Sequence, residues 1–504
     1  MTIKLINDIV IVGGGTAGWM TAAALSHLMP EDYRIRLIES NEISTIGVGE
    51  ATIPLIRGFN DLLGIDENEF IRATQGSFKL GIEFVNWGRQ GDSYIHGFGS
   101  IGRDQMLAKF YQYWLKLYQL GEAPELEHFS LNTVAPRMGK FMRGTYDCSD
   151  SPLADIAYAY HFDAGLYAKF LRQRAEAAQV TRTEGKIVGT VLREGDGFIQ
   201  ALIMENGERI AGDLFIDCSG MAGLLIEKAL HTGFEDWSGW LPCDRAVAVP
   251  CESHGALLPY TRSTARAAGW QWRIPLQHRV GNGHVYSSKF MSADEAESTL
   301  MNNLDGAPLA SPRHLKFTTG KRKKAWNKNC VAIGLSGGFM EPLESTSIHM
   351  VQTAITRLMM MFPHARFDTA DIDAYNAQSD REYTTIRDFL ILHYKANERT
   401  GSPFWDYCRE MEIPATLQAK MDLYRSNGRI VRDSDDLFAE TSWLQVMHGQ
   451  GMRAQGYNPL VDQRSKAQIA SFLSDVQQVI RNCAQAMPSH EEFIAANCKA
   501  APPG

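Results

Sequence analysis

Hydrophobic positions along the chain follow two periods, and each period marks a different element. Residues 9–12 (Ile-Val-Ile-Val) are an unbroken apolar run that stops at three glycines, and an Ala-rich pattern at helical spacing continues over 20–28. This predicts a buried strand, a tight turn and a helix. A second apolar run, 35–38, predicts a neighbouring strand that ends at Glu39. Residues 77–87 alternate instead, with Phe78, Leu80, Ile82 and Phe84 on one face and Lys79, Gly81 and Glu83 on the other, which predicts a half-buried strand with a polar side. His96 and Phe98 lie in a loop before an aromatic-rich amphipathic helix over 105–120, whose Phe110, Tyr111, Tyr113, Trp114 and Tyr118 suit a packed core.

The same reading predicts a helix over 166–178, then short strands with a turn at Asn206 and Gly207, closing on an apolar strand and a D-x-S-G turn at 217–220. That turn serves equally as a second contact to a ligand or as an ordinary strand end. Trp270 and Trp272 stand two residues apart, so on a strand both rings leave one face, and Pro275 marks an edge or an end. Such a wall suits a core or the lining of a cavity. Residues 330–334 predict a further strand, and 348–361 a helix that follows the loop Glu341-Pro342-Leu343-Glu344-Ser345-Thr346-Ser347. Beyond Pro363 the pattern is helical and polar, and 499–504 reads as a frayed tail.

Composition narrows the function more than the fold. A chain of 504 residues with 44% hydrophobic and 21% charged residues can bury a large core as two to four compact units or one elaborated α/β body. With 50 basic against 58 acidic residues the net charge is -8, which supplies no electrostatic reason for a nucleic-acid or anionic-membrane partner. The opening residues run directly into the first strand, so no secretory signal is expected, and no apolar run reaches the ~18 residues of a membrane span. The cytoplasm is the expected compartment. Eight cysteines without C-x-x-C or Cys/His spacing fit a reduced compartment, and no metal site is expected.

The glycine turn carries the first chemistry. Gly13, Gly15 and Gly18 stand in G-x-G-x-x-G spacing with Thr16 and Ala17 between them. Gly13 permits the turn, Gly15 lets backbone approach a pyrophosphate, and Gly18 lets helix and strand pack closely, while Glu39 stands where a carboxylate accepts from an adenosine ribose. The glycine-rich segment 47–52, with Gly49, Glu50 and Ala51, suits a loop over a flat ring or a plain surface turn. Thr346 and Ser347 stand near a helix start, where backbone amides hold an anion or a flavin carbonyl. Glu344 in front of them also reads as a capping carboxylate, and a lysine such as Lys79 on the polar face of a strand is ordinarily just solvated. Gly449 and Gly451 follow no apolar strand, so a second strand-glycine-helix unit for NAD(P)H is not visible.

Taken together, the glycine motif, Lys79 within F-K-L-G, the W-x-W-x-I-P block from Trp270 to Pro275, and E-P-L-E-S-T from Glu341 resemble the flavin-dependent tryptophan halogenases, in that family's order and over about residues 5–460. The resemblance implies an α/β, FAD-binding, Rossmann-like flavoprotein monooxygenase-type fold with a mostly helical substrate-binding subdomain. It places the discontinuous FAD body at 1–100 and 151–365 and the helical subdomain at 101–150 and 366–504. It implies an enzyme that uses FAD in its reduced form, O2 and a halide (bromide or chloride) to make hypohalous acid, which passes through a tunnel to the substrate. A separate NAD(P)H-dependent flavin reductase would supply the reduced FAD; homodimer assembly is left open.

Residue by residue, Lys79 and Glu344 match the catalytic pair. Gly13, Gly15, Thr16, Ala17, Gly18, Glu39, Gly49, Glu50, Ala51 and Ser345 match the cofactor site, and Thr346 and Ser347 the halide site, although the family commonly has glycine at Ser347. His96, Phe98 and Trp443 match the substrate site, and Trp270, Trp272, Ile274 and Pro275 the partition between flavin and substrate. Members that act on free tryptophan carry a tyrosine pair and a glutamate where this chain reads T-S-W-L-Q-V-M-H over 441–448. A zwitterion buried without partners is costly, which points to an indole or another electron-rich aromatic. A flavin-dependent aromatic hydroxylase, a halogenase of free tryptophan and a non-catalytic flavin-binding protein are the alternatives.

Overall fold

The computed structural model of the chain describes residues 5–42, 49–106, 108–145, 151–433 and 436–502. They divide into two compact units: Met1–Gly76 with Phe162–Gly239 and Phe317–Tyr383, and Ser77–His161 with Trp240–Lys316 and Thr384–Gly504.

The first unit is built on a six-stranded sheet in the order Trp326–Asn327, Cys330–Ala332, Leu214–Asp217, Asp8–Val12, Arg34–Glu39, Thr181–Glu184. All neighbours run parallel except the edge hairpin of the first two. Strands covered on both faces read as unbroken apolar runs, which is why 9–12 shows no alternation. One face packs Val10, Val12, Ile38 and Phe215 against Ile199, Leu202 and Ile210 of a three-stranded meander. Helix Thr16–Leu28 lies on the other face, beside helices Ala164–Ala177 and Ser347–Met360. At the D-x-S-G turn, the buried Asp217 carboxylate accepts from Ser219 N–H and Oγ–H through Oδ1, and from Leu225 and Ile226 N–H through Oδ2. Asp217 therefore shapes the loop that follows it, and this turn also abuts Gly13.

The second unit carries the larger sheet, seven strands in the order Arg313–Lys316, Arg245–Cys251, Val280–Tyr286, Gly269–Pro275, Thr261–Arg266, Gly81–Val85, Ser93–Gly97. Only Thr261–Arg266 and Gly81–Val85 pair in parallel, with Thr261 opposite Ile82. That pairing draws 77–100 and 240–316 into one unit with the C-terminal helices.

The expected strand over 77–87 is two strands, Ser77–Lys79 and Gly81–Val85. Between them Leu80 donates its N–H to Pro259 O and accepts from Phe98 N–H. Its expected polar face is covered: Lys79 and Glu83 are both buried, Glu83 between Arg137 and Arg262. His96 stands on strand Ser93–Gly97 rather than in a loop, and the aromatic helix is the shorter Phe110–Tyr118. The seven described cysteines are thiols; Cys148 lies outside the described residues. Among the described residues no helix is long and apolar enough to cross a membrane, and no cluster of three or more metal-ligating side chains is found.

Candidate active site

In the first unit the glycine turn has the geometry its spacing predicts. Gly13 adopts φ +113°, and a Cβ there would stand 2.3 Å from Cys218 O. A Cβ on Gly18 would stand 1.8 Å from Gly13 O, so only hydrogen at this position lets the helix start this close to the strand. Gly15 caps helix Thr16–Leu28 in extended geometry and no side chain caps its amides. A diphosphate fits such a start, because the first-turn N–H groups and the helix dipole are left to an anion. Ala17 packs beside Gly334, which adopts φ +76° and separates it from Val351 of helix Ser347–Met360. The turn and the helix that Thr346 and Ser347 begin are thereby held in one body.

Glu39 ends its strand as expected, with its carboxylate folded over Gly14. It accepts from Arg182 and, at 3.3 Å, from the Trp19 indole N–H, and Arg172 stands 3.5 Å away. Two arginines and an indole thus orient it, with lone pairs left for a ribose. Gly49, Glu50 and Ala51 form a short strand, and burial pushes the Glu50 carboxyl up to about 7. Gly47 and Val48 of the same predicted loop lie outside the described residues.

Glu344 ends a 3-10 turn, Pro342–Glu344, with Ser345 in the left-handed region at φ +60°. Glu341, Glu344, Ser345 and Thr346 are all buried. The left-handed residue reverses the chain so that helix Ser347–Met360 starts at once, with Thr346 as its cap and no capping hydrogen bond from the Thr346 side chain. Two buried carboxylates beside an uncapped helix start is an unusual concentration of polar groups away from water.

In the second unit Lys79 ends its strand fully buried, its Nζ 5.3 Å from the centre of the Phe98 ring. His96, on strand Ser93–Gly97, lies tilted against Phe389 and Phe438, with ring centres 5.7 and 6.4 Å away. Phe389 in turn stacks on Phe438 at 3.8 Å and meets Trp443 edge-on at 4.9 Å. His96 and Trp443, predicted separately, therefore share one aromatic enclosure through Phe389 and Phe438, while the Phe98 ring lies under the Lys79 ammonium. Phe389 and Phe438 complete it and were not singled out from the sequence, because they sit in the polar helical stretch where single aromatics read as core. The buried Trp443 indole N–H has no hydrogen-bond partner among the described residues.

The enclosure is fixed by its neighbours. Gln445 accepts from Gly97 N–H and donates to Gly97 O, bracketing the turn between His96 and Phe98. Trp270 and Trp272 are buried on strand Gly269–Pro275 with ring centres 6.1 Å apart. Trp272 is seated by Gly283 opposite it, where a Cβ would come within 2.1 Å of the ring. Ile274 and Pro275 are buried at the end of the same strand. Lys79 belongs to the second unit and Glu344 to the first.

Residues 8–466 match the family model for tryptophan halogenases. The chain belongs to that family. It is 37% identical to a tryptophan 6-halogenase of Streptomyces albogriseolus, over 97% of this chain and 98% of the relative. Among solved structures it resembles a flavin-dependent halogenase from Xanthomonas campestris, with a TM-score of 0.96, 46% identity and coverage of 99% and 100% of the two chains. A flavin-dependent halogenase from Brevundimonas sp. BAL3 gives 0.94, 45%, 98% and 99%.

The halogenase is thus an oxidoreductase whose reactants include FAD and a halide, and its mostly parallel six-stranded sheet is the Rossmann-like part of an FAD-binding fold. The residues of the first unit fit that cofactor: a glycine turn that excludes any side chain and an uncapped helix start for the diphosphate, with an oriented carboxylate at the strand end for the ribose. Halogenases of this kind act on aromatic substrates and draw reduced flavin from a separate reductase.

Proposed function

We propose that this halogenase transfers halogen to an indole or a similarly electron-rich aromatic that lacks an amino acid's charged backbone. The observation that carries the proposal is how helix Glu440–Gly449 spends its polar side chains. Glu440 accepts from Tyr111 OH at 3.0 Å, Thr441 donates to Gly99 O, Gln445 brackets Gly97, and His448 pairs with Glu125 at 3.0 Å. Each already has a partner within the protein, so an ammonium and a carboxylate entering here would lose water and compete with bonds already made. The aromatic enclosure beside that helix suits a bare ring, which stacks on His96, Phe98 and Trp443 at no such cost.

When bound, reduced FAD and O2 supply the oxidant: O2 takes two electrons from the flavin and two from the halide, giving hypohalous acid and water. Thr346 and Ser347 hold the halide on the amides of their helix start, with Ser345 and Glu50 beside the cofactor. Bromide is the proposed halide and chloride the competing one. Trp270, Trp272, Ile274 and Pro275 form the partition that keeps the aromatic from the flavin, so that the oxidant reaches it only as hypohalous acid passing through a tunnel. Lys79 donates a charged hydrogen bond to that acid or carries the halogen as a haloamine. Glu344 takes the ring proton from the cationic arene. The cytoplasm, where an NAD(P)H-dependent reductase meets it, is the proposed compartment.

Competition between indole and free tryptophan in one reaction, with reductase, NADH, FAD and bromide, tests the substrate. Indole is expected to win by at least about tenfold in kcat/KM, or ~1.4 kcal/mol, the least that one unpaired buried charge costs. Tryptophan winning would overturn the substrate assignment and leave the halogenase assignment standing.

A further inference from the structure

Beneath the strand Ser77–Lys79 lies a buried network that the reaction itself does not use. The strand pairs antiparallel with residues 159–161, Ser77 opposite His161 and Lys79 opposite Ala159. Ser77 Oγ donates to Pro275 O at 2.6 Å and lies 3.1 Å from His161 Nδ1, while His161 Nε2 lies 2.9 Å from Thr261 Oγ1. Since the Ser77 proton is spent on Pro275, His161 Nδ1 carries the ring proton and Nε2 accepts from Thr261.

Phe78 is fixed from the other end of the chain. Its backbone N–H donates to His490 Nε2 at 3.1 Å, and His490 Nδ1 lies 2.8 Å from Leu257 O, which sets this ring's tautomer: Nδ1 donates and Nε2 accepts. Burial holds His490 neutral, its pKa down to about 4, and burial with the nearby Lys79 charge holds His161 neutral as well. His490 opens helix His490–Asn497, whose Phe493 packs on Phe78 at 5.4 Å and whose Glu491 accepts from Leu257 N–H. Its own N–H is tied to Gly139 O. This helix lies beyond residue 466, where the family match ends.

We infer that His490 is a positioning residue for Lys79: through the Phe78 amide, the terminal helix fixes the strand that presents the lysine. Phe78 precedes Lys79 directly, and a lysine side chain has four rotatable bonds, so a strand free to shift by an ångström would spread the ammonium over several positions. Coupling of flavin oxidation to halogenation then depends on a residue 412 positions away in sequence from the amide it holds. The inference rests on the role proposed for Lys79.

Two substitutions in the full-length enzyme, supplied with FAD, reductase, bromide and indole, separate positioning from bulk stability. His490→Asn keeps a donor toward Leu257 and loses the acceptor for Phe78, whereas His490→Gln restores an acceptor near Nε2. Product formed per FADH2 oxidised is expected to fall at least tenfold in His490→Asn, with flavin oxidation unchanged and deuterium exchange of the Phe78 amide at least tenfold faster. His490→Gln should return both readouts to within threefold. Coupling as in wild type in His490→Asn, or equal losses and loss of fold in both variants, would overturn the positioning role. Lys79→Ala run beside them tells the two readings apart: product retained there removes the premise, while product lost there and kept in His490→Asn removes only the positioning role.

Discussion

Lys79→Ala is expected to lose halogenated product by at least about a thousandfold, ~4 kcal/mol of transition-state stabilisation, while FADH2 oxidation by O2 continues. A lysine fully removed from water is rare, because desolvating an ammonium costs several kcal/mol unless the surroundings repay it. Here it ends a buried strand, with its Nζ over the ring of Phe98. In the proposed mechanism this ammonium serves as donor to the oxidant, or carries the halogen, which gives its burial a use. Lys79→Arg should not rescue, since a planar guanidinium is larger and cannot form a haloamine of the same kind. The check is product by liquid chromatography against NADH consumed; product within tenfold of wild type in Lys79→Ala would refute the role.

The second large effect concerns the cofactor. Gly18→Ala is expected to abolish FAD retention and to destabilise the first unit by at least ~3 kcal/mol. Its Cβ would meet backbone, Gly13 O at 1.8 Å, and neither the strand nor the helix can yield without opening the turn. At Gly58, in helix Ile56–Leu62, a Cβ would have nothing within 4 Å, so Gly58→Ala serves as the control and should be neutral or gain ~0.5–1 kcal/mol. Flavin absorbance after gel filtration and the thermal midpoint of both variants are the measurements. A Gly18→Ala protein that keeps FAD and melts with the Gly58→Ala control would contradict this account of the turn.

How much of this was legible in the sequence depended on how local the cause was. The glycine turn was readable because its three constraints fall within six residues, and each concerns a missing side chain. The aromatic site residues were readable one by one, but Phe389 and Phe438 were not, since nothing local separates an aromatic that lines a site from one that fills a core. Lys79 shows the limit of periodicity. Alternation over 77–87 locates the apolar face correctly and says nothing of what covers the other face. The Lys79 strand is paired with residues 159–161, and Glu83 is covered by Arg137 and by Arg262 about 180 residues later. The long-range pairing of Gly81–Val85 with Thr261–Arg266 gathers three separate stretches of chain into the second unit. His490 lies farther still, on a short helix whose sequence shows only an ordinary capping box.

The central claim is that the oxidising power of the flavin goes to a halide and not directly into the aromatic. Mass spectrometry of the indole product formed with reductase, NADH, FAD and bromide tests it most directly. The account predicts a brominated indole with bromine's isotope doublet, and no oxygenated indole in the same reaction. An oxygenated product without halogen, formed equally when bromide is left out, would contradict it.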